Sequence, residues 1–374
     1  MLALLSVAHF WNDTYSTVYP ALVPLFMGLL HWSVTAAGLV GAVGSVMQGA
    51  QPFLGRMVDA RPNRFYTGGA LLAASLTALL EPLSRNYVLF LVLLLLGTTA
   101  SSVFHPNSLA LVGRSQEGRG RRIAAFLVAG NVGRAAGPLM ASVLALWLGG
   151  IDGVAVIAIP GIALALYAMW ATPAVRAAPR VDRTPVLSLL LSRARRLSLL
   201  LGLAGTRSMV TFGLTALLPV WVHQRGGIAL ESSIYLAVLL FVGSFGNGVG
   251  GWMSDRFPRR TVLMIGAVGA AVMLFLFVST TGAVAVVVLA LVGLFSQSST
   301  SVTMVMGQEL FPESRGMASG IALGLGNAFG AVLVAGLSLV AGHWGIPDAF
   351  YVAATASLVG VPLALAYGEA PRVA

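Results

Sequence analysis

The sequence predicts an all-α integral membrane protein of twelve transmembrane helices, arranged as two six-helix pseudo-symmetric bundles, and three observations predict it. Of 374 residues, 57% are hydrophobic and only 9% charged, with a mean hydropathy of +0.89; a soluble domain carries nearer a quarter charged residues. Apolar stretches recur along nearly the whole chain, each near the ~20 residues needed to cross a hydrocarbon core of ~30 Å. Finally, the chain resembles itself at a fixed offset of 196 residues.

The spans fall at 2–30, 33–54, 66–84, 86–112, 123–149, 151–172, 197–224, 230–253, 261–280, 282–308, 316–342 and 346–368. The first lacks a basic leader and a small-residue cleavage site, so it reads as a span rather than a signal peptide. Most joints are short and marked by Gly or Pro. The exception is 173–196, where Arg176, Arg180, Arg183, Arg193, Arg195 and Arg196 face a single Asp182. That basic segment divides an N-terminal bundle, 1–172, from a C-terminal bundle, 197–374.

Charge sets the orientation. The loops at 55–65, 113–122, 173–196, 254–260 and 309–315 fall on one side of a twelve-span chain and hold 17 of the 22 basic residues, all of them Arg. The opposite loops hold only Arg85 and Arg225. The positive-inside bias then places these loops and both termini in the cytoplasm, with the bacterial inner membrane as the expected location.

The repeat sets the architecture. The 196-residue shift aligns Gly55, Asp59, Pro62 and Arg64 with Gly251, Asp255, Pro258 and Arg260. It also pairs Glu117, Arg119 and Gly120 with Glu313, Arg315 and Gly316, and Gly130-Asn131 with Gly326-Asn327. Because the shift covers an even number of helices, the two halves share one orientation and are related by an axis along the membrane normal.

Several classes are excluded. With no Cys there are no disulfides, thiolate metal sites or cysteine nucleophiles. Five His, scattered along the chain, do not suggest a metal cage, and no metal or other cofactor is expected. A Gly-Lys-Ser/Thr phosphate loop is absent, so ATP is not the direct energy source. The net charge of +10 lies in membrane-flanking loops, which points to the lipid bilayer as partner rather than nucleic acid.

Two loop motifs carry a family resemblance. Gly55-Arg56-Met57-Val58-Asp59-Ala60-Arg61-Pro62-Asn63-Arg64 and Gly251-Trp252-Met253-Ser254-Asp255-Arg256-Phe257-Pro258-Arg259-Arg260 resemble the signature that the major facilitator superfamily carries after the second and eighth helices. Ala8-His9-Phe10-Trp11-Asn12-Asp13 and Ser101-Ser102-Val103-Phe104-His105-Pro106 look like the fosmidomycin-resistance branch of its bacterial exporters. Gly133-Arg134-Ala135-Ala136-Gly137-Pro138 resembles the core of the superfamily's antiporter motif. The resemblance implies alternating access, with Gly55, Asp59, Arg64, Gly251, Asp255 and Arg260 in gating. Chemistry agrees: Gly permits close helix approach, and Asp can accept from a helix N-terminus.

Ionisable groups inside spans cost several kcal/mol unless they face water or a partner, so each is a functional candidate. Asp13 and His9 stand one turn apart on the first helix, suited to loading and releasing a proton. Arg207 and Arg134 suit bidentate binding of an anion, or else neutralise Asp13. His105, beside a Pro-induced break, is a substrate or second proton site; Gln48 and Gln297 are expected to line the cavity, and Trp11 and Tyr15 to wall it. The expectation is a monomeric, proton-coupled exporter of a small anionic or amphiphilic compound. Organic-anion symport or facilitation is the alternative, and a non-transporting receptor is the remoter one. No nucleophile constellation supports an enzyme.

Overall fold

The computed structural model describes residues 1–60, 63, 65–112, 119–172, 186–311, 317 and 320–368, and these are helical almost throughout. In the N-terminal bundle, α1 is Leu2–Leu30. Helix α2 runs Val34–Val46, tightens through a 3₁₀ turn Met47–Ala50, and continues as Gln51–Ala60. Then come α3 (Phe65–Leu80), α4 (Tyr87–Val112), α5 (Arg119–Trp147) and α6 (Ile151–Ala171). A short helix, Val186–Ser192, precedes the C-terminal bundle: α7 (Ala194–Gln224), α8 (Ala229–Arg256), α9 (Arg259–Val278), α10 (Gly282–Leu310), α11 (Ile321–His343) and α12 (Ile346–Tyr367).

Among the described residues, eight of these helices are long and apolar enough to span a membrane by length and composition. The other four, α1, α2, α3 and α5, are shorter, interrupted or richer in polar residues, and three of them build the site described below. The apolar exterior is explicit in exposed Trp147, Trp170 and Trp344. Such an all-round apolar helix is what a lipid solvent selects, because every backbone group must be paired within its own segment.

Within each bundle the packing follows the repeat: α1 lies against α5 as α7 lies against α11, and α3 against α4 and α6 as α9 against α10 and α12. Between bundles, α2 meets α11 and α5 meets α8. Small residues form these seams. A Cβ added to Gly49 would sit 2.9 Å from that of Ala328, and Ser142 Oγ lies 2.6 Å from Ser233 Oγ. The first five residues of α11, Ile321–Leu325, are wound as a π-helix and face the 3₁₀ turn of α2.

Aromatic and turn chemistry fixes the end of α1. His31 takes the left-handed conformation, φ 54°, that stops the helix, and Ser33 caps α2 by accepting from the Ala36 amide at 3.1 Å. Trp32 then stacks on Phe26 at 5.3 Å between ring centres, and Phe90 closes edge-on at 4.8 Å to Phe26. On this side Arg85 pairs with Asp152.

Candidate functional site

The site begins at the contact of α1 with α5. Gly130, Gly133 and Gly137 remove the side chains that would otherwise strike His9, the Phe10 carbonyl and the Thr14 carbonyl. Thr14 Oγ1 then donates to the Gly133 carbonyl at 3.2 Å and Thr17 Oγ1 to the Arg134 carbonyl at 2.9 Å. Close approach and these two bonds fix the register of both helices.

That register buries His9 and Asp13. His9 Nδ1 lies 2.7 Å from the Phe126 carbonyl, an acceptor only, so this nitrogen carries the proton, and the ring stacks on Phe126 at 4.0 Å. Its Nε2 lies 3.3 Å from Asp13 Oδ2. From α4, His105 Nδ1 lies 2.8 Å from the Ser101 carbonyl, and its Nε2 is 3.0 Å from Asp13 Oδ1. Asn12 Nδ2 donates both to that oxygen at 3.0 Å and to Ser101 Oγ at 2.8 Å.

Both imidazoles therefore use Nδ1 on backbone carbonyls and turn Nε2 to one carboxylate. Asp13 thus receives one imidazole nitrogen on each of its two oxygens. His9 is 3% exposed, whereas the His105 side chain is 31% exposed. His105 is the cluster's opening. Two histidines read as scattered along the sequence thus converge: donor atoms of His9, Asp13 and His105 lie within 4.8 Å of one another.

Between the bundles lies a small polar cavity. Its polar lining comes from Asn131 and Arg134 on α5, Arg207, Ser208 and Thr211 on α7, Ser244 and Asn247 on α8, Gln297 and Thr300 on α10, and Asn327 on α11. No carboxylate is among the lining residues. Arg207 Nη1 donates to Gln297 Oε1 and Thr300 Oγ1, both at 2.8 Å. Its Nη2 donates to Ser208 Oγ at 2.8 Å and Asn327 Oδ1 at 3.1 Å. Asn327 Nδ2 in turn donates to Gln48 Oε1 across the seam at 2.8 Å.

Other residues singled out in the sequence lie elsewhere. The Tyr15 hydroxyl donates to the Ile157 carbonyl at 3.3 Å, so that ring fills the space toward α6 instead of walling the cavity. Trp11 packs on Phe10 and Tyr15, with ring centres at 5.3 and 6.0 Å, and does not line the cavity. Gly55 abuts Pro106, and Gly251 abuts Ser301. Asp255 and Arg260 are exposed at the α8–α9 turn. The Asp59 side chain and Arg64 lie outside the described residues. In the second loop motif the neighbouring Arg259 grips both carboxylate oxygens of Glu309, one at 2.7 Å.

Sequence reading missed Asn12, Ser101, Ser208, Thr300 and Asn327 as site residues. One signal was present for the last: the 196-residue offset pairs Asn327 with Asn131, and both line the cavity.

Two six-helix bundles around a polar cavity with buried charges define a membrane carrier of small molecules. The profile of the Major Facilitator Superfamily matches residues 2–322 and 229–374, and the chain belongs to that superfamily, whose members are transporters and not enzymes. It is 25% identical over 383 residues to the uncharacterized MFS-type transporter YfnC of Bacillus subtilis (strain 168), and 24% identical over 373 residues to the fosmidomycin resistance protein of Escherichia coli (strain K12). Each match covers 96% of this chain and 91% of the relative. Among solved structures, a bacterial homolog of the human lysosomal transporter Spinster, inward-facing and occupied, superposes with a TM-score of 0.82 at 16% identity, over 99% of this chain and 98% of that one. A D-xylose–proton symporter gives 0.76, also at 16% identity, over 97% and 95%. The chain is a multi-pass membrane transporter.

Proposed function

We propose that this chain is a proton-coupled secondary transporter that exports a small anionic or amphiphilic compound in exchange for protons, by alternating access. The observation that supports it is an inter-bundle cavity lined, among the described residues, by two guanidiniums and no carboxylate, together with a buried cluster in which His9 and His105 both turn Nε2 to the Asp13 carboxylate. Uncompensated positive charge in a low-dielectric site favours an anion. The cluster exchanges protons through His105, and Asp13 is the group that both histidines need. The basic loops support an inner-membrane protein with both termini in the cytoplasm, and both bundles and the cavity between them come from one chain, which fits a monomer. Gating belongs to the two loop motifs, with Gly55, Asp59, Arg64, Gly251, Asp255 and Arg260.

One observation favours a second reading, proton–anion symport. Arg134 lines the cavity from the same bundle that holds the His9–Asp13–His105 cluster, so an anion seated on Arg134 brings negative charge toward that cluster and favours a proton there. Such linkage is reciprocal and loads proton and anion together. The sign of proton movement decides between the two. In proteoliposomes given an inward gradient of an organic anion, exchange alkalinises the lumen and symport acidifies it. Anion flux with no proton movement would leave a facilitator and overturn the coupling.

A further inference from the structure

We infer that the two cavity guanidiniums have different roles: Arg134 grips the oxyanion of the cargo, and Arg207 is a positioning residue that ties the cavity to the seam between bundles. The inference rests on the proposed reading that the cargo is anionic. It follows from counting donors. A guanidinium offers five N–H groups. All four on the Nη atoms of Arg207 are taken, by Gln297, Thr300, Ser208 and Asn327, and its Nε is buried without a partner. To bind Arg207 in a bidentate way, an anion would have to displace two of these bonds end-on, or displace one and reach the buried Nε side-on.

Arg134 is the opposite case. Its side chain lines the same cavity and makes no hydrogen bond or ion pair among the described residues. Its backbone is held firmly, by Thr17 on its carbonyl and by the Gly133 and Gly137 contacts on either side. A fixed base with a free planar fork is the arrangement that binds one carboxylate or phosphate-type group through two parallel bonds.

Arg207 acts through Asn327. The Oδ1 that accepts from Arg207 also accepts from Ser208 at 2.7 Å, and the same amide donates to Gln48 of the opposite bundle. The chain of bonds crosses where α2 is wound as a 3₁₀ turn and α11 as a π-helix, both of which are departures that mark a hinge. The cargo class this implies carries a single oxyanion group, with an uncharged remainder toward Ser244 and Asn247.

Phenylglyoxal, which modifies accessible guanidiniums, tests the division in the purified full chain, with labelling at each Arg mapped by mass spectrometry. Arg134 is expected to react at least about tenfold faster than Arg207, and either inorganic phosphate or benzoate to protect it. Asn327→Ala should raise labelling of Arg207 several-fold and leave Arg134 unchanged, which a merely structural Asn327 would not do. Arg207→Lys should keep the protection of Arg134. Equal labelling of the two, protection of Arg207 in place of Arg134, or no protection by either anion would overturn the assignment. Protection of Arg207 alone would leave the anion reading standing and remove only the division of roles; absent protection removes both.

Discussion

Asp13 shows what a single position can and cannot reveal. Its spacing from His9, four residues on one helix, was legible, because residues so spaced face the same side. That His105 completes the cluster was not. His105 was a candidate for substrate contact or a second proton site, and only the packing of α4 on α1, with Ser101 holding its Nδ1, turns its Nε2 to the carboxylate. Cross-helix partners of this kind leave no periodic trace. The glycines of α5 make the residue-scale prediction. Gly133→Ala puts a methyl group against the Phe10 carbonyl and should destabilise by about 1–3 kcal/mol, lowering the thermal midpoint in detergent. Gly69→Ala, with nothing within 4 Å, should be neutral or stabilising by up to about 1 kcal/mol. If both substitutions gave the same shift, the close-approach account of α5 would fail.

At the scale of elements, the apolar runs located the spans but misjudged their ends. The second span was expected to stop at 54, yet α2 continues to Ala60, and α5 starts at Arg119 rather than 123. Charged residues read as loop, but at a helix end near the membrane surface a long Arg side chain reaches the headgroups while its backbone stays helical. The 3₁₀ turn of α2 and the π start of α11 were also invisible, since neither Met47–Ala50 nor Ile321–Leu325 contains a Pro to mark the change of winding. The boundary between α1 and α2 is a local device instead. Ser33→Ala removes its one capping acceptor and should cost about 1 kcal/mol, whereas His31→Gly relieves a left-handed residue and should be neutral or stabilising. Thermal unfolding of the two variants, shifted in opposite directions, checks this.

For the whole molecule, the 196-residue repeat carried the architecture: two bundles in one orientation with equivalent internal packing. It did not carry the chemistry, which is unequal between the halves. The His9–Asp13–His105 cluster lies wholly in the N-terminal bundle and the hydrogen-bonded Arg207 in the C-terminal one. Alternating access requires the α2–α11 seam to open. A Cβ at Gly342 would lie 3.3 Å from that of Thr35, close to the ~3.5–4.5 Å a disulfide spans. In this Cys-free chain, Thr35→Cys with Gly342→Cys should therefore stop transport when oxidised and restore it on reduction. Transport unaffected by the crosslink would mean that this end of the seam does not move.

The central claim, that a buried carboxylate shared by two histidines couples protons to the movement of an anion, is tested most directly by anion-evoked proton flux in proteoliposomes, comparing the unmodified chain with Asp13→Asn. The expected result is proton movement in the unmodified chain that vanishes in the variant, while the variant still folds and still shows phosphate protection of Arg134. Undiminished proton movement in Asp13→Asn would contradict the account and return the cluster to a structural role.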